Sequence, residues 1–526
     1  MRERVTAQLE MPAPNWLDRL CSWVAPEYGA RRIAVRRQLA VAEHMHARLA
    51  RIEAADSTVS RADRWLTSRL SPNSQLEQDQ QTARDHSREL YVNDATGGAV
   101  DDKINHVIGT GHTPQARVSG VANSDSLNVQ IEDVYRDWSP RASVSGTSSL
   151  WALSRLAARH NEFDGESFTV LSDLGKADKP IPLAVQVIDP ERVATPPEFS
   201  GDPQVRLGIR TDERGQVLGY YVQRSHPGDT RDVNLKYDFV PSERMLHVFE
   251  PWTAEQSRGL PWMTRAINRA KDAKDVDEAH ILASQIEACY AGFVKSSSTP
   301  GYMGATGAAT GTSGNRRTQD ITPGTLTYLG PGEEVVFSSP VRPGSGFAPF
   351  MEWNYRRVAA AINWPYEMVV KNWAGISFAG GRIVLAGAKR ATQVAQKMMA
   401  EQWLSRVWHR MVEESVIVGA IDVSPAEYMA APLVYQRHVW IPPRWDYALN
   451  PGEEVKADVE ELSSNLALLE DAVGKRGYDL EDFIARKSRE NRLLTDSGLT
   501  PVQTQTQVIA ARDAQANSSQ PSEVPA

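Results

Sequence analysis

Two closely spaced carboxylates, Asp164 and Glu166, are the residues best suited to acid–base chemistry in this sequence. Such a pair could supply a general acid and a general base. The two residues flank Gly165, and Asp-Gly is also typical of a turn between a helix and a strand. We interpret them as turn residues and predict no catalytic site. His247 lies between apolar residues of a predicted strand, which favours a structural role for it too.

Phosphate and metal sites have equally little support. Residues 109–111 (GTG) form a glycine turn, but the GK[ST] ending of a phosphate loop and the third glycine of a dinucleotide fingerprint are missing. His44 and His46 are two residues apart, which on a helix directs them to different faces. Cys21 and Cys289 are the only cysteines and suggest neither a disulfide framework nor a zinc site. We therefore predict no cofactor, no metal and no enzymatic activity.

Length and composition indicate a multidomain globular protein. The chain has 526 residues, too many for one hydrophobic core. With 41% hydrophobic and 24% charged residues its composition is ordinary for a soluble protein. No apolar run of about 18 residues predicts a membrane span, and the N-terminal residues lack the apolar segment of a signal peptide. The formal net charge of −8 argues against tight sequence-specific binding to duplex DNA.

The elements around which the chain is organised lie between about residues 259 and 365. A helix is predicted to begin at Pro261, whose fixed φ suits a first helical turn, and no glycine follows before Gly292. Its middle alternates in charge between alanines, which leaves a narrow apolar stripe. The charged residues are Lys271, Asp272, Lys274, Asp275, Asp277 and Glu278. Either this helix is exposed to solvent and stabilised by i,i+4 ion pairs, or it packs through its small side chains and exposes its charged residues to a water-filled space.

A glycine-rich excursion separates this helix from a second one. Residues 296–320 are rich in Ser, Thr and Gly and are predicted to be mobile. The runs LTYLG (326–330) and EEVVF (333–337) resemble a hairpin around a Pro-Gly pair. Residues 347–362 are predicted to return as a helix, which Trp364-Pro365 ends or kinks.

The remaining segments alternate between helices and short strands. Residues 68–83 are interpreted as a linker and 205–250 as a β-rich piece with a hairpin. Apolar residues at steps of three and four favour a long helix over 383–417. Further predictions are a basic helix before the linker, helices at 148–163, 453–473 and 479–493, and a disordered tail after about residue 498.

Taken in order, these motifs resemble the lambda-type portal protein family of tailed phages. No single motif is specific, but the ordered set is, and it covers roughly residues 80–500. Two segments depart from the family pattern: 376–382 contains inserted glycines, and 450–455 has Asn and an extra Gly. The matching segments are REL at 88–90, DGESF at 164–168, DPER at 189–192, RGLPW at 258–262, PGT at 323–325, PGE at 331–333, Phe347, Phe350 and the run 357–367.

The resemblance implies an α+β portal fold with a mixed wing domain, a helical stem, a small α/β clip and a mainly helical crown, assembled as a ring, typically of twelve copies. The implied layout is an N-terminal helical arm and linker 1–80, wing 81–257, first stem helix 258–295, clip with mobile tip 296–346, second stem helix 347–365, candidate channel loop 366–383, long helix and return to the wing 384–449, crown helices 450–497 and disordered tail 498–526.

The resemblance also implies the function. Portal rings form the DNA channel at one capsid vertex, dock the terminase motor for genome packaging, and then bind the neck and tail for DNA retention and ejection. Implied partners are other copies of the chain, the terminase large subunit, major capsid and scaffold proteins, neck or head-completion proteins and double-stranded DNA bound without sequence preference. The implied location is the virion, with host cytoplasm during assembly and no membrane. The alternative is another neck or tail connector without a role in packaging.

Candidate functional residues follow from the same resemblance. The loop nearest DNA is expected to include Ser377, Phe378 and Arg382. The alternating charges of the first stem helix are expected to divide between subunit contacts and channel wall, and Ala273→Trp is expected to disrupt ring packing. DNA slides more easily along a neutral or acidic channel wall, because basic residues that neutralised its phosphates would bind it and slow it. The acidic net charge is compatible with this function and does not decide it.

Overall fold

The computed structural model describes residues 70–174, 180–231, 236–288, 292–296, 333–337, 346–443, 445 and 451–498. Predictions for the N-terminal helix before residue 70, for the glycine-rich tip and for the tail lie outside these residues. The chain divides into two compact units. Among the described residues, the first comprises those within 70–105, 141–174 and 182–407, and the second those within 106–140, 180–181 and 408–498. Helices and small antiparallel sheets are mixed along the chain, as predicted for an α+β protein.

The described residues contain fourteen α-helices and eleven strands. The helices are α1 (Pro72–Asn93), α2 (Gly97–Val107), α3 (Ser124–Trp138), α4 (Leu150–Phe163), α5 (Ile267–Ala288), α6 (Phe347–Ala361), α7 (Tyr366–Val370), α8 (Phe378–Met399), α9 (Ser405–Ile417), α10 (Pro425–Ala430), α11 (Pro432–Tyr435), α12 (Pro451–Ser463), α13 (Leu469–Gly474) and α14 (Leu480–Asp496). The strands are β1 (Thr113–Ala116), β2 (Glu166–Asp173), β3 (Leu183–Ile188), β4 (Val205–Arg206), β5 (Ile209–Thr211), β6 (Val217–Gln223), β7 (Tyr237–Pro241), β8 (Met245–Phe249), β9 (Gly292–Ser296), β10 (Glu333–Phe337) and β11 (His438–Ile441). No helix in the described part of the chain is both long and apolar enough to span a membrane.

Helix α1 corrects the linker prediction for residues 68–83. Ser71 is the N-cap and its side chain accepts a hydrogen bond from the Ser74 N–H, while Pro72 occupies the first helical turn. Ser followed by Pro is a strong start signal for a helix, because it satisfies a free N–H and fixes φ. The polar sequence still buries one side, which includes Leu76, Gln80, Ala83, Arg84, Ser87 and Leu90.

Two antiparallel sheets form the core of the first unit. The three-stranded sheet has the order β3-β2-β8, and the four-stranded sheet has the order β4-β5-β6-β7. Both confirm the strands predicted after Gly165 and within 205–250. Their side chains share one hydrophobic cluster, since alternate residues of each strand point to the same face. The buried members are Phe168, Ile188, Val193, Ile209, Tyr220, Val222 and Met245.

The two central helices differ from prediction mainly at their ends. The first starts with a 3-10 turn at Trp262–Arg265, and regular α-helix begins only at Ile267. The return helix α6 begins at Phe347, as predicted, and ends at Ala361. Strand β10 pairs antiparallel with β9, from Glu333 opposite Ser296 to Phe337 opposite Gly292. The partner predicted for this strand, 326–330, lies outside the described residues.

The predicted loop 366–383 is largely helical. It contains α7 and the first turns of α8, which begins at Phe378 rather than near residue 384. The cause is again a cap: the Ser377 side chain accepts a hydrogen bond from the Gly380 N–H at 3.1 Å. Helix α8 continues through a π-helical segment, Ala400–Leu404, into α9. The long helix therefore ends at Ile417, as predicted, but starts earlier.

The second unit packs around aromatic residues. Strands β1 and β11 pair antiparallel, with Thr113 opposite Ile441. The Tyr135 ring lies against those of Trp408 and Trp440, with centroids 5.9 and 6.0 Å away. The C-terminal helices contribute little to this core: Ala472 and Val473 of α13 are buried, whereas α14 buries no residue.

Candidate functional site

A buried carboxylate, Glu166, is the centre of a polar network in the first unit. It is the first residue of β2 and directly follows the turn at Gly165. Oε1 accepts from Arg84 Nη2 at 2.6 Å and from Gln80 Nε2 at 3.0 Å. Arg258 Nε lies 2.8 Å from Oε1 and 2.7 Å from Oε2. The Gly259 N–H and His247 Nε2 complete the shell of Oε2 at 3.0 and 3.1 Å. These partners and Glu166 are called the Glu166 network below.

Arg258 extends the Glu166 network to three backbone carbonyls in two further segments. Its Nη1 donates to the carbonyls of Val193 and Leu207, at 3.0 and 2.6 Å, and its Nη2 to that of Pro190 at 3.1 Å. The guanidinium also lies over the Phe168 ring, 4.9 Å from its centroid. One planar donor fork therefore joins strand β2 to the segment that follows β3 and to the turn between β4 and β5.

The charges of the Glu166 network stabilise each other. Burial alone would raise the pKa of Glu166, but the positive charges of Arg258 and Arg84 and the hydrogen bond from His247 lower it well below its usual range. Burial also lowers the pKa of His247, which disfavours the charged form of its ring. Glu166 is consequently an ion-paired acceptor, with no proton to donate near neutral pH.

Asp164, the other candidate acid, is equally committed to partners. Arg88 donates to its two oxygens from Nε at 2.6 Å and from Nη2 at 2.9 Å, and His160 Nδ1 lies 2.7 Å from Oδ2. Asp164 and Glu166 therefore do not form a catalytic pair, as the turn interpretation predicted. His247, stacked 4.2 Å from the Phe168 ring, has the structural role predicted for it.

Arg88 also neutralises the one group of described residues that is spaced to hold a metal ion. Asp189, Glu191 and His226 place one ligand atom each within 4.8 Å of the others. Arg88 Nη2 already lies 2.9 Å from Asp189 Oδ1, and Arg88 Nη1 lies 2.7 Å from Glu191 Oε1. A guanidinium supplies there the charge that a cation would bring, so these residues are explained as an ion-pair cluster.

Two glycines let the backbone of the Gly165 turn contact the segment that leads into the first central helix. A Cβ on Gly165, whose φ is +86°, would lie 2.0 Å from the carbonyl carbon of Leu260. A Cβ on Gly259 would lie 1.9 Å from the Gly165 oxygen. The RGLPW segment is thus held by its backbone as well as by the Arg258 side chain.

The charged residues of α5 combine the two interpretations left open by the sequence. Ala270 and Ala273 are buried, so the helix packs through small side chains. On the exposed side Lys271 pairs with Asp275 one turn away. Lys274 lies 2.8 Å from Glu89 of α1. Asp272 is half-buried, while Asp277 and Glu278 are exposed.

The expectation for Ala273→Trp requires correction. Ala273 is fully buried within its own unit. An indole there would disrupt the packing of the single chain, so the substitution cannot report on contacts between subunits.

The three candidate loop residues lie together at the start of α8. Ser377, Phe378 and Arg382 are all exposed, with Ser377 as the N-cap. They are well separated along the chain from the Glu166 network. Its partner Gln80 lies in the segment 68–83 that was interpreted as a linker, and Arg84 directly follows that segment. The signal that could have found them is the Ser-Pro start of α1, which places Gln80, Arg84 and Arg88 at helical spacing on one face.

Comparison with known proteins decides the family. A family model described as "Phage portal protein, lambda family" matches residues 58–396, more than half of the chain. The chain belongs to this family. The match includes every residue of the Glu166 network, the candidate loop residues and both central helices. Family membership makes the chain a structural head–tail connector protein of phage virions and not an enzyme, as predicted.

Individual portal relatives are distant but cover most of the chain. The "Probable portal protein" of Halomonas phage phiHAP-1 is 24% identical over 445 residues, which cover 80% of this chain and 82% of the relative. "Portal protein B" of Escherichia phage lambda is 19% identical, with 78% and 83% covered. A solved structure titled "Neck of native GTA particle computed with C12 symmetry" is 14% identical, with 75% of this chain and 92% of that chain covered and a TM-score of 0.39.

Proposed function

We propose that copies of this chain assemble into a closed ring of twelve subunits, which forms the DNA channel at one capsid vertex. The ring admits DNA that the terminase motor pumps, retains it, and releases it through the neck and tail. Membership of the lambda portal family is the observation that carries this proposal. The chain's own role is passive, since the mechanism needs a smooth conduit rather than a reactive group. Its further partners are the major capsid, scaffold and neck proteins.

The proposed layout assigns a part of the ring to each segment of the chain. The wing contains the two sheets and Glu166 itself, whose partners Arg258 and Gly259 are the first residues of the proposed stem, and α5 and α6 are the stem helices. The crown consists of the C-terminal helices, whose apolar residues are largely uncovered in the single chain. The proposed ranges are arm 1–80, wing 81–257, stem 258–295 and 347–365, clip 296–346, channel segment 366–383, long helix and return to the wing 384–449, crown 450–497 and tail 498–526.

The oligomeric state of the purified chain tests the proposed function. We expect light scattering to give a mass near twelve times 58.2 kDa, and negative-stain images of the same fraction to show rings with a central hole. Different surfaces of identical subunits must meet in such a ring, and closed symmetry limits its size. A discrete dimer or trimer without a hole would contradict the proposal and favour a connector without a packaging role.

We further propose that Ser377, Phe378 and Arg382 lie nearest to the DNA. Their exposure at the start of α8 supports this assignment, because Phe378 and Arg382 contact little of their own chain. We expect Phe378→Ala/Arg382→Ala particles to assemble normally but to package or retain less DNA. The measurement is DNA content per particle in an infection complemented with the variant. The exposed pair Leu218→Ala/Arg214→Ala, in the β5–β6 region, serves as a control. Unchanged DNA content in the channel variant would refute the assignment.

A further inference from the structure

Helix α8 has an unusual charge for an acidic protein. No Asp or Glu occurs between Glu367 and Glu401, whereas five basic residues do. Two of the five are paired: Lys371 with Asp102, and Lys397 with Glu401 at 3.7 Å. The other three are exposed and form no ion pair with any residue that the structure describes; they are Arg382, Lys389 and Arg390.

Apolar side chains are exposed beside these basic residues. Ile383 is 75% exposed and Val394 63% exposed, on the side of α8 opposite to its buried residues Leu385 and Ala388. Large aliphatic side chains in contact with water cost free energy that a protein partner could recover. A phosphate backbone offers basic residues a partner but offers Ile383 and Val394 none. We call Ile383, Lys389, Arg390 and Val394 the α8 face; Arg382, which we assign to the channel segment, is not part of it. The α8 face fits an acidic and partly apolar protein surface better than nucleic acid.

The second half of α5 presents a surface of that kind. Residues 275–285 (DVDEAHILASQ) contain three acidic residues and no Lys or Arg. Asp277 and Glu278 are exposed, and neither forms an ion pair within the described part of the chain. Ile281 is 50% exposed and Leu282 57% exposed. The α5 face thus has the opposite charge to the α8 face and the same mixture of charged and aliphatic side chains.

We propose that the α8 face of one copy docks on the α5 face of a neighbouring copy. The contact joins two different patches of identical chains, so it is heterologous and generates a ring when its rotation closes. This inference rests on the proposed ring and names a surface that builds it. Lys389 and Arg390 lie opposite Asp277 and Glu278 in the interface, with aliphatic residues packed beside them.

Charge reversal on each face, followed by a charge swap, tests the interface. We expect Lys389→Glu/Arg390→Glu and Asp277→Lys/Glu278→Lys each to lower the ring fraction at least tenfold, at a concentration where the unaltered chain is mostly rings. The chain with all four substitutions restores the opposite charges and should recover rings. Arg214→Glu/Arg231→Glu makes the same change in charge in exposed loops and should leave ring formation intact. Circular dichroism and thermal unfolding of every variant establish that the monomer is folded.

The outcomes separate this interface from the proposed function. Rings that persist in both reversal variants contradict the interface alone, whereas an unaltered chain without rings contradicts the proposed function. Loss of rings in the four-fold variant, with a folded monomer, also overturns the pairing. If the α8 variant instead keeps its rings and loses salt-dependent binding to duplex DNA, the α8 face is a nucleic-acid surface and the inference is wrong.

Discussion

Replacing Glu166 with glutamine is expected to lower the free energy of unfolding of the first unit by about 3–5 kcal/mol, because it removes the anion from a buried ion-pair network. Arg84 and Arg258 are almost completely buried and both lie within hydrogen-bonding distance of the carboxylate. An amide keeps the shape of the side chain but removes the carboxylate shared by the two guanidinium groups, and Arg84 then retains only Asp164, 3.9 Å from its Nε. Denaturant unfolding followed by circular dichroism measures the difference.

A control for this substitution lies on the same strand. Asp173 ends β2 and pairs with Arg244 at 2.7 Å, but both side chains are substantially exposed. We expect Asp173→Asn to change stability by only about 0–1 kcal/mol, since water already solvates both charges. Equal effects of Glu166→Gln and Asp173→Asn would show that burial does not strengthen the Glu166 network.

The same network predicts how stability depends on pH. The pKa of Glu166 is lower in the folded chain than in the unfolded chain. Its contribution to the free energy of unfolding is therefore complete above the unfolded pKa of about 4.3, and it is lost as the pH falls towards the folded pKa. The unaltered protein should therefore lose stability below about pH 5 more steeply than Glu166→Gln. If the free energies of unfolding of the two proteins fell equally steeply between pH 5 and pH 3, this prediction would be wrong.

Gly165→Ala is expected to destabilise the first unit by about 4 kcal/mol, combining backbone strain with overpacking. At φ +86° an L-residue is strained by itself. The new methyl would also lie 2.0 Å from the Leu260 carbonyl carbon, and backbone cannot rotate away as a side chain can. Because that backbone leads into α5, rings should be lost together with monomer stability. Thermal unfolding and native mass are the two measurements.

Gly215 provides a matched control for that prediction. Its φ is +85°, almost identical to that of Gly165, but a Cβ there would meet no atom within 4 Å. Gly215→Ala should therefore cost only the strain, about 1–2 kcal/mol. If the two alanine variants were equally stable, the close approach between Gly165 and Leu260 would have no energetic role.

The sequence predicts well those features that depend on neighbouring residues. The start of α6 at Phe347, the end of the long helix at Ile417 and the strands of the two sheets all follow from local periodicity and turn residues. Where composition and a helix N-cap signal predict different structures, the N-cap signal is the correct one in both cases here. Polar composition suggested a linker over 68–83, but the Ser71-Pro72 start signal prevails, and the Ser377 cap starts α8 despite two glycines in its first turn.

The Glu166 network could not be predicted because its members are far apart in the chain. Nothing in the local sequence distinguishes Arg84, which is buried, from Arg382, which is exposed. Asp164 and Glu166 were noticed only for their proximity, and their partners lie on other elements. Local periodicity predicts which face of a helix or strand a residue occupies. Which residues it contacts on other elements depends on how those elements pack together.

The sequence separations within the Glu166 network also set an order for folding during synthesis. Gln80 donates to the Gly259 carbonyl across 179 residues, and Arg84 reaches Glu166 across 82. At roughly 5–20 residues per second, a ribosome needs about 9–36 s to progress from residue 80 to residue 259. Until then Glu166 lacks Arg258 as a counter-charge, so helix α1 and strand β2 cannot complete their burial. The sheets of the first unit must therefore wait for residues 258 and 259 before they become stable.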